Sequence, residues 1–389
     1  MKKQLKNYIF LELVILIALC ITPSLACAQA EQGNVITNQI QATDFSAIQQ
    51  KIDEATAQYS NQLDNINIKE ITSALGSGKF SWHPMDILKS LSMLLFGEVR
   101  ANLSLMLKII ALALITSLLT TLQASFGKKS GACDIAFYAC YIVIISLSIT
   151  VFKNASGDAL RFIDLTGNFI TIFTPLLMLS LAGAGHVISV SVVQPTIIIS
   201  TQIIVFIIKN YLLPLAFCTI ALNIASNISC NFKLNNLIKL FENIIKWSLG
   251  IMLTVFVGLI SIQTMVAPNL DALTARTAKY AVGTFVPVVG SVLSDSIGLV
   301  FTYGNAIKTA VGMGGLISLL LICVIPLIKC MVQMGIMQFS AAVIEPIADS
   351  RLVNAITGMR SGLTLIFIMM ITLTIMFLIN ITIVTNMKI

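Results

Sequence analysis

Charge is what this chain has least of: only 11% of its 389 residues are Asp, Glu, Lys or Arg, while 57% are hydrophobic. A soluble surface needs roughly 25% charged residues, so an ordinary soluble domain is excluded. Catalytic signatures are scarce as well. The two histidines, His83 and His186, stand far apart, and the chain has no His-Glu-x-x-His, Walker A loop or Gly-x-Ser-x-Gly. The expectation is a non-enzyme that carries no cofactor and no metal. Lys and Arg never run more than two together, which argues against nucleic-acid binding despite a formal charge of +7. The eight cysteines are dispersed through apolar sequence, as small hydrophobes rather than a disulfide framework. Cys133/Cys140 and Cys323/Cys330 share a seven-residue spacing, but lack the further ligands of a metal site.

What the chain does have is a series of apolar runs, from Leu103 to the C-terminus, of the roughly 20 residues that a membrane helix needs. The N-terminus reads MKKQLKNYIF, then LVILIALCIT, then PSLACAQA. This is the basic, apolar and small-residue order of a signal peptide over residues 1–30, with an uncleaved anchor as the other reading because Glu12 interrupts the apolar part. Residues 31–100 are expected to form an exported polar arm that ends in an amphipathic helix from Pro84, with Ile87, Leu88, Leu91, Leu94 or Leu95, and Val99 on one stripe.

Lys128 and Lys129 follow the first span (103–123) and place that loop in the cytoplasm. Further segments are expected at 135–152, 169–184, 187–208, 211–227 and 248–267. The segment NFKLNNLIKLFENIIKW, residues 231–247, carries an apolar face and a net positive charge, and is expected to lie along the inner membrane surface.

Three short matches recur at one spacing. Asp158-Ala159-Leu160 returns at Asp271-Ala272-Leu273, Phe173-x-Pro175 at Phe285-x-Pro287, and Leu213-Pro214-Leu215 as Ile325-Pro326-Leu327. The three share a single offset to within one position, which indicates an internal repeat. The expected organisation is therefore two initial helices (101–157), membrane repeat 1 (158–268) and a parallel repeat 2 (269–389). Carrying the boundaries across adds segments at 281–296, 300–320, 323–344 and 363–386, with EPIADSRLVNAITGMRSG as a second surface helix. The fold class is an all-α polytopic membrane protein of about ten segments.

A proline in a membrane helix frees a carbonyl, which is tolerated where protein or a water-filled cavity satisfies it. Pro175, Pro287 and Gly290 are thus expected to break helices, with the prolines facing the interior, whether those segments span or re-enter. Repeated interrupted segments are also the mark of a transport site between halves. An ionised residue at bilayer depth costs about 2.5 to 3.5 kcal/mol on translocon scales. Asp295 with Lys308 or Lys329 is accordingly the candidate internal polar site, with interfacial snorkelling as the competing account. Gly312, Gly314 and Gly315 are expected to permit close helix packing.

Four stretches together carry a family resemblance: LFGEVRAN (Leu95 to Asn102), TARTAKYAVGTFVPVVGSVLSD (Thr274 to Asp295), KTAVG (Lys308 to Gly312) and the sequence around Pro326. With these the chain resembles the stage III sporulation protein AE family of endospore-forming bacteria. The resemblance implies a multipass protein in the mother-cell-derived membrane around the forespore. It implies partners among the other stage III A operon proteins and stage II sporulation protein Q, in a transenvelope channel or secretion-like complex that supports forespore integrity and late forespore transcription. An ATPase of the operon would supply the energy. Arg276 and Lys279, in the most specific stretch, are candidate contacts to partner proteins or lipid phosphates. A conduit, a membrane scaffold and a stand-alone permease for a small solute all remain open at this stage.

Overall fold

A computed structural model describes residues 84–126, 131–228, 234–285 and 290–387. The signal peptide and most of the polar arm therefore lie outside the described residues, as does Pro287. Among the described residues the fold is all-helical, with no strand. The helices are α1 (Pro84–Phe126), α2 (Gly131–Gly183), α3 (Val187–Ile207), α4 (Leu213–Ile228), α5 (Asn235–Phe285), α6 (Gly290–Ile344) and α7 (Ser350–Thr385). A π-helical turn, Ile208–Leu212, joins α3 to α4. That turn ends just before Pro214, which has no N–H to continue a regular ladder, and a wider turn is one way to absorb the gap.

Among the described residues six helical stretches are long and apolar enough to cross a membrane: Leu95–Leu119, Tyr138–Gly183, Val187–Asn227, Asn235–Thr274, Gly304–Ile344 and Ser350–Thr385. The sequence suggested more and shorter segments. The expected spans at 135–152 and 169–184 fuse into α2, whose 53 residues extend about 80 Å at 1.5 Å per residue. A straight helix of that length crosses a hydrocarbon core of about 30 Å once and projects beyond it. In the same way 300–320 and 323–344 fuse into α6, and the amphipathic helix from Pro84 runs on without interruption into the first span. Pro84 opens α1, a position where its missing N–H costs nothing.

Pro175 does not break its helix. It lies within α2 and is exposed rather than turned to the interior. The helix runs on through it to Gly183, and hydroxyls shortly before it donate back to the helix, Thr171 to the Gly167 carbonyl and Thr174 to the Ile170 carbonyl. Gly290 is the first residue of α6.

The two expected surface helices also differ. Asn235 to Trp247 forms the start of α5 and continues straight into the apolar stretch. The stretch after Glu345 forms a turn closed by Asp349, whose carboxylate accepts from the Arg351 N–H, and then the first third of α7. That third is buried at Leu352, Ala355, Ile356 and Met359 because its glycines admit neighbours: Asn223 occupies the space where a Cβ of Gly358 would sit, and Ile220 that of Gly362. The helix which looked amphipathic is thus an interior one.

α7 is the hub. Of its most apolar window 78% is buried, compared with 17% for α5 and 22% for α1. Its core includes Phe367, Met370, Leu373 and Phe377, packed with Phe162, Phe169 and Phe173 of α2. Gly312 abuts Thr385 and Gly315 abuts the Phe173 ring, with no room for a Cβ at either, so these two glycines serve close packing as expected. Long exposed apolar rows on α5, including Trp247, Ile251, Val255, Leu259 and Ile262, suit a lipid solvent.

Candidate functional site: two polar clamps between helices

α2 ends where Gly185 adopts φ 93°. The His186 N–H bonds the Leu181 carbonyl at 3.2 Å and the Gly185 N–H the Ala182 carbonyl at 2.9 Å, which is the Schellman pairing that glycine allows at this position. The chain reverses here and α3 starts at Val187 with His186 as its N-cap residue, whose own side chain caps nothing.

The cap comes from another helix. Asp271 of α5 accepts the N–H groups of Ile188 (2.8 Å) and Ser189 (3.2 Å), and also the Ser189 hydroxyl. Those two N–H groups are the ones an N-cap side chain would normally take, and the positive end of the helix dipole favours the carboxylate. Asp271 is 2% exposed and His186 is 0% exposed, so the clamp is dry.

Beside it, the His186 Nδ1 lies 3.6 Å from Asp271 Oδ2, which is too long for a hydrogen bond. Neither ring nitrogen is hydrogen-bonded among the described residues. Burial pushes the imidazole below its ordinary range and the Lys308 charge adds to that, with Asp271 opposing. Lys308 of α6 is itself buried. Its ammonium donates to the Met387 carbonyl, beyond the C-terminal end of α7 where the helix dipole favours a cation. Gly304, one turn earlier, meets the Gly183 carbonyl and the Ala184 backbone so closely that no side chain fits. The end of α2, the start of α3, α5, α6 and the end of α7 are thereby tied at one junction.

The second clamp lies further along the bundle. Lys329 Nζ stands 2.8 Å from Asp158 Oδ2, with side chains 21% and 18% exposed. Elsewhere on α2, Asp164 receives two 2.9 Å hydrogen bonds from Lys209 of the π turn, although that pair is 46% and 40% exposed. Glu242 of α5 accepts from Lys246 at 3.2 Å and from the Ser361 hydroxyl of α7 at 2.5 Å.

Lys308 and Lys329 are almost six turns apart on α6, about 32 Å along the helix. They belong to separate clamps, each with its own carboxylate, and do not meet in one site. The side chains of Asp295 and Lys279 lie outside the described residues. Arg276 is exposed on the C-terminal part of α5.

The residues that sequence reasoning missed are Asp158, Asp271 and His186. The first two stood out only as repeat markers and the third appeared isolated. Their partners lie on other helices, far away along the chain, so no local spacing signals them. The one available clue was the Ala182-Gly183-Ala184-Gly185 run, a turn whose following helix has no capping side chain of its own. The Ser189 hydroxyl donates to Asp271 and not to His186, so the clamp is not a nucleophile–base pair. Among the described residues no group of three or more His, Cys, Asp or Glu is placed to hold a metal ion. The arrangement compensates buried charge and holds helices in register.

Comparison with known proteins adds an identity to this architecture. No solved structure matches the chain. The curated stage III sporulation protein AE of Bacillus subtilis (strain 168) is 30% identical over 308 residues, which cover 79% of this chain and 77% of that protein. The family described as stage III sporulation protein AE matches residues 66–387, and with its apolar helices and buried polar clamps this chain belongs to that family.

Proposed function

We propose that the protein is an integral membrane component of a sporulation-specific transenvelope channel or secretion-like complex between mother cell and forespore, needed for forespore development and late forespore gene expression. Its place would be the mother-cell-derived membrane around the forespore, with the other stage III A proteins and stage II sporulation protein Q as partners. Membership of the stage III AE family over most of the chain carries this reading. The six long apolar helices support a core membrane position rather than a peripheral one.

The tandem repeat belongs to the same proposal. Pro214 follows the π turn between α3 and α4, and its counterpart by the common offset is Pro326, within α6. In chain order, α5 and α7 then stand in corresponding positions. Asp158 and Asp271, also equivalent in the repeat, each reach across to the other copy, to Lys329 and to the start of α3 respectively. On this reading the copies are interlocked by their own aspartates.

A conduit and a scaffold separate in one experiment. In a sporulating strain whose gene is replaced by Asp295→Asn or by Lys329→Met, a late forespore reporter is measured alongside copurification of the stage III A proteins and stage II Q. A conduit predicts loss of the reporter with assembly intact for at least one of the two. Normal reporter activity in both ends the conduit proposal, and parallel loss of reporter and assembly supports the scaffold.

A further inference from the structure

Polar and aromatic side chains gather at one level, partway along the bundle. Asp164 of α2 accepts two 2.9 Å hydrogen bonds from Lys209 of the π turn, and the pair is nearly half exposed. Tyr211 of the same turn is largely exposed. α5 and α3 run in opposite directions and in step, with Gln263 bonded to Thr196 and Asp271 to Ile188. The same register, carried on along both, brings Trp247 level with Tyr211. Its ring is largely exposed too.

On one side of this level the helices are free of exposed charge. Residues 165–183, 187–208, 248–270, 304–328 and 362–385 include one charged residue, Lys308, and it is buried. At 1.5 Å per residue these runs are about 29 to 38 Å long, which matches a hydrocarbon core of about 30 Å crossed at a tilt. Their far end is the junction of Asp271 and His186. On the other side exposed cations recur, Lys153 on α2 and Lys239 on α5. Lys108 of α1 is exposed there as well, since α1 follows that half of α6, with Met106 on the Ile325–Ile336 cluster and Ser117 bonded to the Ile347 carbonyl.

We propose that the level of Lys209, Tyr211 and Trp247 contacts phospholipid headgroups, with the bilayer hydrocarbon enclosing the charge-free side up to the Asp271–His186 junction. A half-exposed ion pair does not fit the middle of a bilayer, where exposed charge is costly. Open water does not fit two exposed aromatic rings. Trp and Tyr concentrate at the headgroup layer, because each ring is apolar along its body and polar at its tip. The exposed row of Ile251, Val255, Leu259 and Ile262 then faces acyl chains. The proposal rests on the chain lying in a bilayer and not on the channel reading, so either can fail alone.

The test uses the full chain in phosphatidylcholine and phosphatidylglycerol vesicles, with Trp82→Phe so that Trp247 is the one tryptophan left. Lipids that carry a nitroxide near the headgroup or near the chain end quench shallow or deep emission. Trp247 is expected to lose more emission to the shallow nitroxide. With both native tryptophans replaced by Phe, Ile199→Trp on α3 should lose more to the deep one. Ile142→Trp, on α2 beyond the Lys209 level, should lose less to the deep nitroxide than Ile199→Trp does. Both isoleucines are exposed, so the unfolding temperature should not change. Greater loss of Trp247 emission to the deep nitroxide, loss to neither, or stronger deep quenching of Ile142→Trp than of Ile199→Trp would each overturn the proposal.

Discussion

Replacing Asp271 by alanine should loosen the α2–α3 junction more than any other single charge removal in the described bundle. The carboxylate takes two N–H groups of α3 and the Ser189 hydroxyl. Loss of a helix N-cap costs typically about 1 kcal/mol, loss of a buried charge from the positive end of a helix up to about 2 kcal/mol, and each stranded donor adds about 1 to 3 kcal/mol before relaxation. These overlap, since they describe the same contacts, and the expected net loss is about 2 to 4 kcal/mol. Asp271→Asn keeps an acceptor but not the charge and should lose about half as much. Reversible unfolding in mixed micelles measures the total, and hydrogen exchange at Ile188 and Ser189 shows whether the effect starts there. Lys209→Ala is the control: its pair with Asp164 is 40 to 46% exposed, and exposed pairs contribute about 0 to 1 kcal/mol. A loss below about 0.5 kcal/mol for Asp271→Ala, at the foot of the range for a cap, or equal losses for the two variants, would refute the capping argument.

Other consequences follow from the same geometry. His186 is held neutral by burial and Lys308, below its ordinary value of 6.5, so the unfolded chain binds the proton more readily. The stability of this junction should be full above pH 6.5 and decline as the pH falls below it. His186→Gln should flatten that decline in unfolding midpoints taken across the range. Lys329→Met leaves Asp158 without its cation, and because both side chains are about one-fifth exposed the cost should be about 1 to 3 kcal/mol, less than for a fully buried pair. Combined with Asp158→Asn, the loss should shrink, as a double-mutant cycle would read. Gly304→Ala should destabilise by forcing the Ala184 backbone away, whereas Gly157→Ala, with nothing within 4 Å of its would-be Cβ, should gain about 0.5 to 1 kcal/mol in the same assay.

The membrane class was legible from composition, because burial in lipid removes the need for charged surface. So was the close approach at Gly312 and Gly315, since small residues in apolar runs have few other uses. Segment count was not legible. A window matched to one bilayer crossing cannot tell two spans from one long helix when, as in α2, charged residues such as Asp158 and Asp164 sit mid-helix and find partners in the folded bundle. Pro175 misled for a related reason, as a proline is a weak breaker where the rest of the helix is held by packing. The interior start of α7 was hidden because Gly358 and Gly362 matter only through Asn223 and Ile220, residues of another helix. The clamps themselves depend on pairings between distant parts of the chain, which hydrophobic periodicity does not encode. Lys308 and Lys329 stood out in the sequence as alternative partners of Asp295, whereas the contacts they make, to the Met387 carbonyl and to Asp158, join distant parts of the chain that no local spacing signals.

The central claim is a membrane component on which the forespore depends. Deleting the gene in its spore-forming host, with a late forespore reporter and membrane staining followed in single cells, tests it most directly. If the proposed function holds, the deletion strain keeps the reporter dark and loses forespore integrity, with restoration by the intact gene expressed in the mother cell alone. Normal reporter onset and normal spore yield in the deletion would contradict it.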